Sequence, residues 1–142
     1  MLKLLTLLAF STNITMTMAN STLEVEVSNI DVKRPGNIVV FMFSKTGFPK
    51  AHDKALSRQQ VAADQPTISV RFEHVPTEFA IKVLHDEDMT GKVTKNWTGI
   101  IPAEGLGFSN GATLGFGPPS FSEAVIKHNF ENAKLNIDII YP

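Results

Sequence analysis

Leu23-Glu24-Val25-Glu26-Val27-Ser28 and Ile38-Val39-Val40-Phe41-Met42-Phe43 are the two stretches that decide the fold. In the first, apolar and polar residues alternate. Successive side chains of an extended backbone point to opposite faces, so this pattern predicts a strand with one wet face. The second is continuously apolar and rich in β-branched and aromatic residues, which predicts a central strand covered on both sides. The period of two returns at Ile68-Val70-Phe72, at Phe79-Ile81-Val83 after the break at Val75-Pro76, and at Leu135-Ile137-Ile139-Tyr141. Ala124 and Ile126 predict a further strand across residues 121–128, and residues 105–114 leave room for another. No long segment carries helical periodicity, so the class is all-β. Antiparallel strands with one polar face need a second layer. The expected architecture is therefore an antiparallel two-sheet sandwich of about seven strands, immunoglobulin-like or prealbumin-like, with a closed barrel as the alternative.

The N-terminus reads Met1-Leu2-Lys3, an apolar run from Leu4 to Phe10, and a polar stretch ending Thr17-Met18-Ala19. This is the pattern of a secretory signal cut after Ala19, which leaves residues 20–142 as one β-sandwich domain in the periplasm or outside the cell. The apolar run is far shorter than the ~20 residues that span a bilayer, so no transmembrane segment is expected in the mature chain. Formal charge is −1 for the whole chain and the basic residues form no cluster, which excludes a phosphate-neutralising surface and hence nucleic acid as a partner. With no cysteine present, any metal must be held by oxygen or imidazole ligands.

Two connections are long, residues 44–66 and 86–120. The first contains Lys50–Leu56, which suits a short helix on the rim. The second concentrates glycine and proline, and it opens on Asp86-Glu87-Asp88-Met89-Thr90-Gly91-Lys92-Val93-Thr94. Side-chain oxygens at Asp86, Asp88, Thr90 and Thr94, a glycine at the sixth position and the Lys92 carbonyl at the seventh reproduce the spacing of a calcium loop. The twelfth position, where a bidentate glutamate is needed, is Trp97, and Glu104 is the acid available to replace it. A solvated acidic turn closed by Gly91 fits the same residues. His85 continues the parity of Phe79, Ile81 and Val83 and should face the core where the strand ends. Paired with Asp86, Asp88 or Glu104 it has the chemistry of a general base or transition-metal ligand; otherwise it simply bonds a neighbouring loop. His52, His74 and His128 show no ligand spacing. Ser109, in Gly107-Phe108-Ser109-Asn110-Gly111, lacks the elbow pattern of a nucleophile. Trp97, Phe108, Phe116 and Phe121 either stack on a sugar or peptide ligand or pin the loops to the sandwich. Asn96-Trp97-Thr98 matches a glycosylation acceptor.

The run Phe72–Asp88, with Gly91-Lys92 and with Gly99-Ile100-Ile101-Pro102-Ala103-Glu104-Gly105-Leu106-Gly107-Phe108-Ser109-Asn110, resembles the exported bacterial proteins grouped as domain of unknown function 2141. The resemblance extends from about Leu23 to Tyr141. It implies a periplasmic or secreted sandwich, similar in outline to transthyretin-like and carboxypeptidase regulatory modules, with no established activity. In a bacterial product the Asn96 acceptor usually carries no glycan. Hydroxyisourate hydrolases of the transthyretin fold end in tyrosine-arginine-glycine-serine, whereas this chain ends Ile139-Ile140-Tyr141-Pro142.

Two functional readings follow from these residues. One is a non-catalytic binding or structural module of the cell envelope, with His85, Glu104, Phe108 and Asn110 facing an envelope ligand or protein and calcium at the Asp86–Thr94 loop. The other is a hydrolase using His85 with Asp86 or Glu104 as acid and base. Assembly through an exposed edge strand is a third possibility.

Overall fold

The computed structural model describes residues 20–129 and 131–142. The signal segment expected over residues 1–19 lies outside the described residues. The strands are β1 (Thr22–Ser28), β2 (Asn37–Phe43), β3 (Ser57–Ala62), β4 (Ile68–Glu73), β5 (Glu78–Asp86), β6 (Leu106–Phe108), β7 (Ile126–Lys127) and β8 (Asn132–Asp138). They form a three-stranded sheet in the order β4-β1-β8 and a five-stranded sheet in which β3, β2, β5 and β6 are successive neighbours and β7 pairs with β5. The sheets stay separate, so the architecture is a sandwich and not a closed barrel. All pairings are antiparallel except that β1 runs parallel to β8. Among the described residues, no helix is long and apolar enough to cross a membrane.

The alternation in β1 does what the sequence predicts. Leu23, Val25 and Val27 point into the sandwich and join Ile38, Val40 and Met42 of β2 and Phe79, Ile81 and Val83 of β5 in the inter-sheet core. Burying each of these apolar side chains stabilises the fold by roughly 1.5–3 kcal/mol. On the wet face, Lys134 of β8 lies 3.6 Å from Glu24 and 3.0 Å from Glu26, pairs that contribute less than about 1 kcal/mol each. β2 is buried on both faces, as its continuous apolar run requires.

The second face of the five-stranded sheet carries its own apolar cluster of Val39, Phe41, Phe43, Leu84, Leu106 and Phe108, on which Phe48 and Ala55 pack. The segment between β2 and β3 is therefore a lid on this face. The short helix expected over Lys50–Leu56 is reduced to a single 3-10 turn at His52–Lys54. The rest of the connection holds β3, an edge strand whose Arg58, Gln59 and Gln60 are exposed and so leave no apolar alternation to read. A second correction falls at residues 121–128. Phe121–Ala124 form one α-helical turn, α1, closed by a capping box in which Ser120 and Glu123 satisfy each other's backbone N–H groups. Strand pairing there shrinks to β7.

Lys82 stands on the lidded face and is only 4% exposed. Its Nζ donates to the Pro49 carbonyl at 2.9 Å and lies 2.8 Å from His52 Nε2. His52 Nδ1 is 2.8 Å from the Gly91 carbonyl, which can only accept, so Nδ1 carries the proton and Nε2 accepts from Lys82. The imidazole stacks on Phe41 with ring centroids 4.1 Å apart. One buried amine thus ties the lid to the sheet and, through His52, to the loop after β5.

Close approach decides β6. A Cβ on Gly107 would sit 2.7 Å from Ile137 Cγ2 and 2.8 Å from the Asp138 carbonyl, so only glycine lets β6 lie against β8. Ile140 then bridges to Leu106, and the chain end passes from one sheet to the other.

Burial pushes the Lys82 amine down to about 8 from 10.5. Between those values the unfolded chain holds a proton that the folded chain has released, so stability rises with pH across that window. Urea unfolding of the wild type should show a gain of roughly 2 kcal/mol between pH 8 and pH 10. Lys82→Met should lose that gain; an unchanged slope in the variant would show that another group is responsible. Tyr141, whose phenol burial raises, works in the opposite direction above pH 10.

Candidate functional site

Strand β5 ends in His85-Asp86, and four segments converge there: the β1–β2 loop, the loop after β5, the start of β6 and the chain end. His85 is fully buried. Its Nε2 lies 2.9 Å from the Pro35 carbonyl and its Nδ1 lies 2.7 Å from the Tyr141 hydroxyl. The carbonyl accepts only, so Nε2 donates and Nδ1 receives the Tyr141 O–H. Tyr141 Oη in turn accepts the Asp31 backbone N–H at 2.9 Å. The Arg34 guanidinium sits 4.7 Å over the Tyr141 ring and pairs with Glu87 at 3.2 Å and Asp31 at 3.3 Å. Both nitrogens of His85 are thus engaged, and neither contacts Asp86 or Glu104. The pairing a hydrolase would need is not made, and His85 instead fastens the β1–β2 loop to the chain end.

The acidic residues behave differently. Asp86 is 3% exposed, and its two oxygens accept the backbone N–H groups of Thr90 at 3.1 Å and Gly91 at 2.8 Å. Glu104, also 3% exposed, accepts the N–H of Glu87 at 2.6 Å and of Thr94 at 2.7 Å. Asp88 is exposed and accepts hydrogen bonds from the Thr94 hydroxyl and, at 2.8 Å, from the Thr90 hydroxyl. Those bonds, Thr94 first, hold its carboxyl below the usual carboxylate range. The Thr90 hydroxyl also lies 3.1 Å from the Lys92 carbonyl. One oxygen from each of Asp86, Asp88 and Glu104 falls within 4.8 Å of the others. The loop spacing places Asp86 and Asp88 together, and Glu104 reaches the position that Trp97, 95% exposed, leaves without an acid.

Phe108, Asn110 and Ser109 are held in place by packing and hydrogen bonds. Phe108 is 6% exposed within the second apolar cluster, where it forms one wall of a groove of about 310 Å³ shared with Leu114, Ile137 and Ile140. Asn110, with φ of 56°, donates to the Glu123 carbonyl at 3.0 Å and braces α1. Ser109 Oγ accepts the Ile81 N–H at 2.9 Å and donates to the Ala124 carbonyl at 2.6 Å, so it is a buried bracket. The residues that sequence reasoning missed are Tyr141, Arg34, Lys82 and His52. Tyr141 had a signal: it is in phase with the inward Ile137 and Ile139. Lys82 had one too, as a lone cation inside an apolar strand.

Glu104 joins the two ends of the loop, and glutamine has one acceptor oxygen where two amides need one each. Glu104→Gln should destabilise the chain by roughly 1.5–3 kcal/mol in chelator, whereas Asp88→Asn, exposed, should cost less than about 1 kcal/mol. Urea midpoints, with faster amide exchange at Glu87 and Thr94 in Glu104→Gln, are the readout; equal midpoints for the two variants would refute the anchoring role.

No curated protein and no solved structure matches this chain. A protein-family model does, over residues 25–136, which takes in the second half of β1, the whole of the acidic loop and most of β8. The chain therefore belongs to the bacterial family described as "Uncharacterized protein conserved in bacteria (DUF2141)".

Proposed function

We propose that this chain is an exported, non-catalytic module of the cell envelope, and that calcium stabilises its ligand-facing end at the Asp86–Thr94 loop. The observation that carries the reading is the meeting of Asp86, Asp88 and Glu104 within 4.8 Å. Two oxygens bound to one calcium ion at about 2.3–2.6 Å each lie no more than ~5 Å apart, so the three carboxylates meet the distance condition for one shared ion. Among the described residues, no lysine or arginine forms a salt bridge with any of the three. Two of these charges are withdrawn from water, and a hard cation would compensate them. Each carboxylate oxygen of Asp86 and Glu104 accepts a single amide and keeps a lone pair for such an ion. The engagement of both His85 nitrogens supports the non-catalytic half of the reading.

Thermal unfolding in millimolar calcium and again in chelator tests the cation. An ion at ~100 times its dissociation constant should add about 2.7 kcal/mol, a shift of several degrees that Asp88→Ala abolishes. An identical midpoint in calcium and chelator would sink the calcium assignment. Fractionation of cells carrying a C-terminally tagged chain tests export: processed protein should appear in the periplasm or medium, and full-length protein in the cytoplasm would contradict it.

A further inference from the structure

Residues 94–103 after the acidic turn form a small hairpin. Asn96 N–H donates to the Ile101 carbonyl at 2.7 Å, Ala103 N–H to the Thr94 carbonyl at 2.8 Å, and Lys95 bridges to Pro102. Its tip is Trp97-Thr98-Gly99-Ile100-Ile101, with Trp97 95%, Ile100 77% and Ile101 51% exposed. Two branched aliphatics and a tryptophan held open to water on a braced hairpin call for a partner, because scattered single exposed apolar residues are ordinary but a contiguous run is not.

We propose that this tip is a membrane-surface anchor that inserts Trp97, Ile100 and Ile101 into the interfacial region of a bilayer carrying anionic headgroups. Tryptophan favours that region because its ring is apolar and its N–H remains near water. Of the charged residues between 86 and 104, Asp88, Lys92 and Lys95 are the exposed ones, and the two lysines, close before Trp97 in the chain, complement anionic headgroups. A sugar platform fits less well: Thr98 supplies the tip's sole side-chain hydroxyl, and that group already bonds Asn96. A second copy of this chain is an outcome that the test below separates. The inference goes beyond the cation reading and does not require it.

Trp97 is the chain's single tryptophan, so its emission reports on the tip directly. The purified chain is mixed with phosphatidylglycerol vesicles in calcium and in chelator, with cosedimentation measured alongside emission. The expected result is a blue shift and cosedimentation in at least one medium. Ile100→Ser with Ile101→Ser, which spares Trp97 and the core, should reduce partitioning roughly tenfold or more with an unchanged unfolding midpoint. Lys92→Gln and Lys95→Gln should each weaken binding roughly fivefold on these vesicles. The proposal fails if vesicles leave emission and sedimentation unchanged in both media, or if the double serine variant cosediments like the wild type. It also fails if the blue shift instead follows protein concentration without lipid, which would mean a second copy, or follows soluble peptidoglycan fragments but not vesicles, which would mean a sugar. Failure of the cation reading is separate, since it shows in the melting midpoints alone.

Discussion

Strand β5 is buried from Phe79 to Asp86 on both of its faces, yet it carries Lys82, His85 and Asp86. A polar group taken out of water and left unpaired costs about 1–3 kcal/mol, and more if charged. Every one of these three must therefore find its partners within the protein, and among the described residues no buried side-chain nitrogen or oxygen lacks one. The partners are segments that would otherwise be loose loops. Lys82 holds the lid between β2 and β3, His85 holds the β1–β2 loop and the chain end, and Asp86 holds the turn that follows it. The architecture of one end of the sandwich is thus the solution to the hydrogen-bonding requirements of a single strand.

This constraint also separates chemistry from scaffolding. A histidine whose two nitrogens are committed is a fastener, and a serine wedged between two backbone groups of different elements is a bracket. The acidic residues differ because carboxylate oxygens retain acceptor capacity after one amide bond each. Negative charge is concentrated there, with Asp86, Asp88 and Glu104 in no salt bridge among the described residues, and an exposed apolar hairpin grows from the same loop. Chemical potential for interaction gathers at residues 86–104, on a rigid support supplied by β5 and β6.

Much of the fold was legible because the core strands obey the side-chain period. Leu23, Val25 and Val27 could face only inward, and the unbroken Ile38–Phe43 run demanded two covered faces. Edge elements were not legible for the complementary reason: β3 exposes most of its side chains, and the Ser120–Glu123 capping box overrode a strand-like pattern at Phe121. Within the site, the spacing of Asp86, Asp88, Thr90 and Thr94 was readable because it lies within one turn. The reach of Glu104 was not, because it depends on β6 returning alongside β5.

By itself the sequence determined the all-β class, the inward faces of β1, β2, β5 and β8, and the acidic turn, since each rests on local periodicity or on residues a few positions apart. Only the tertiary structure decided that the second face of the large sheet is lidded, that Lys82 and His85 are spent on backbone carbonyls and Tyr141, and that Glu104 completes the carboxylate group. Those outcomes depend on which buried groups meet across 17 to 56 positions of chain, as Glu104 meets Glu87, Lys82 meets His52 and His85 meets Tyr141. Hydrogen-bond satisfaction in a dry interior selects such meetings, and no local pattern records them.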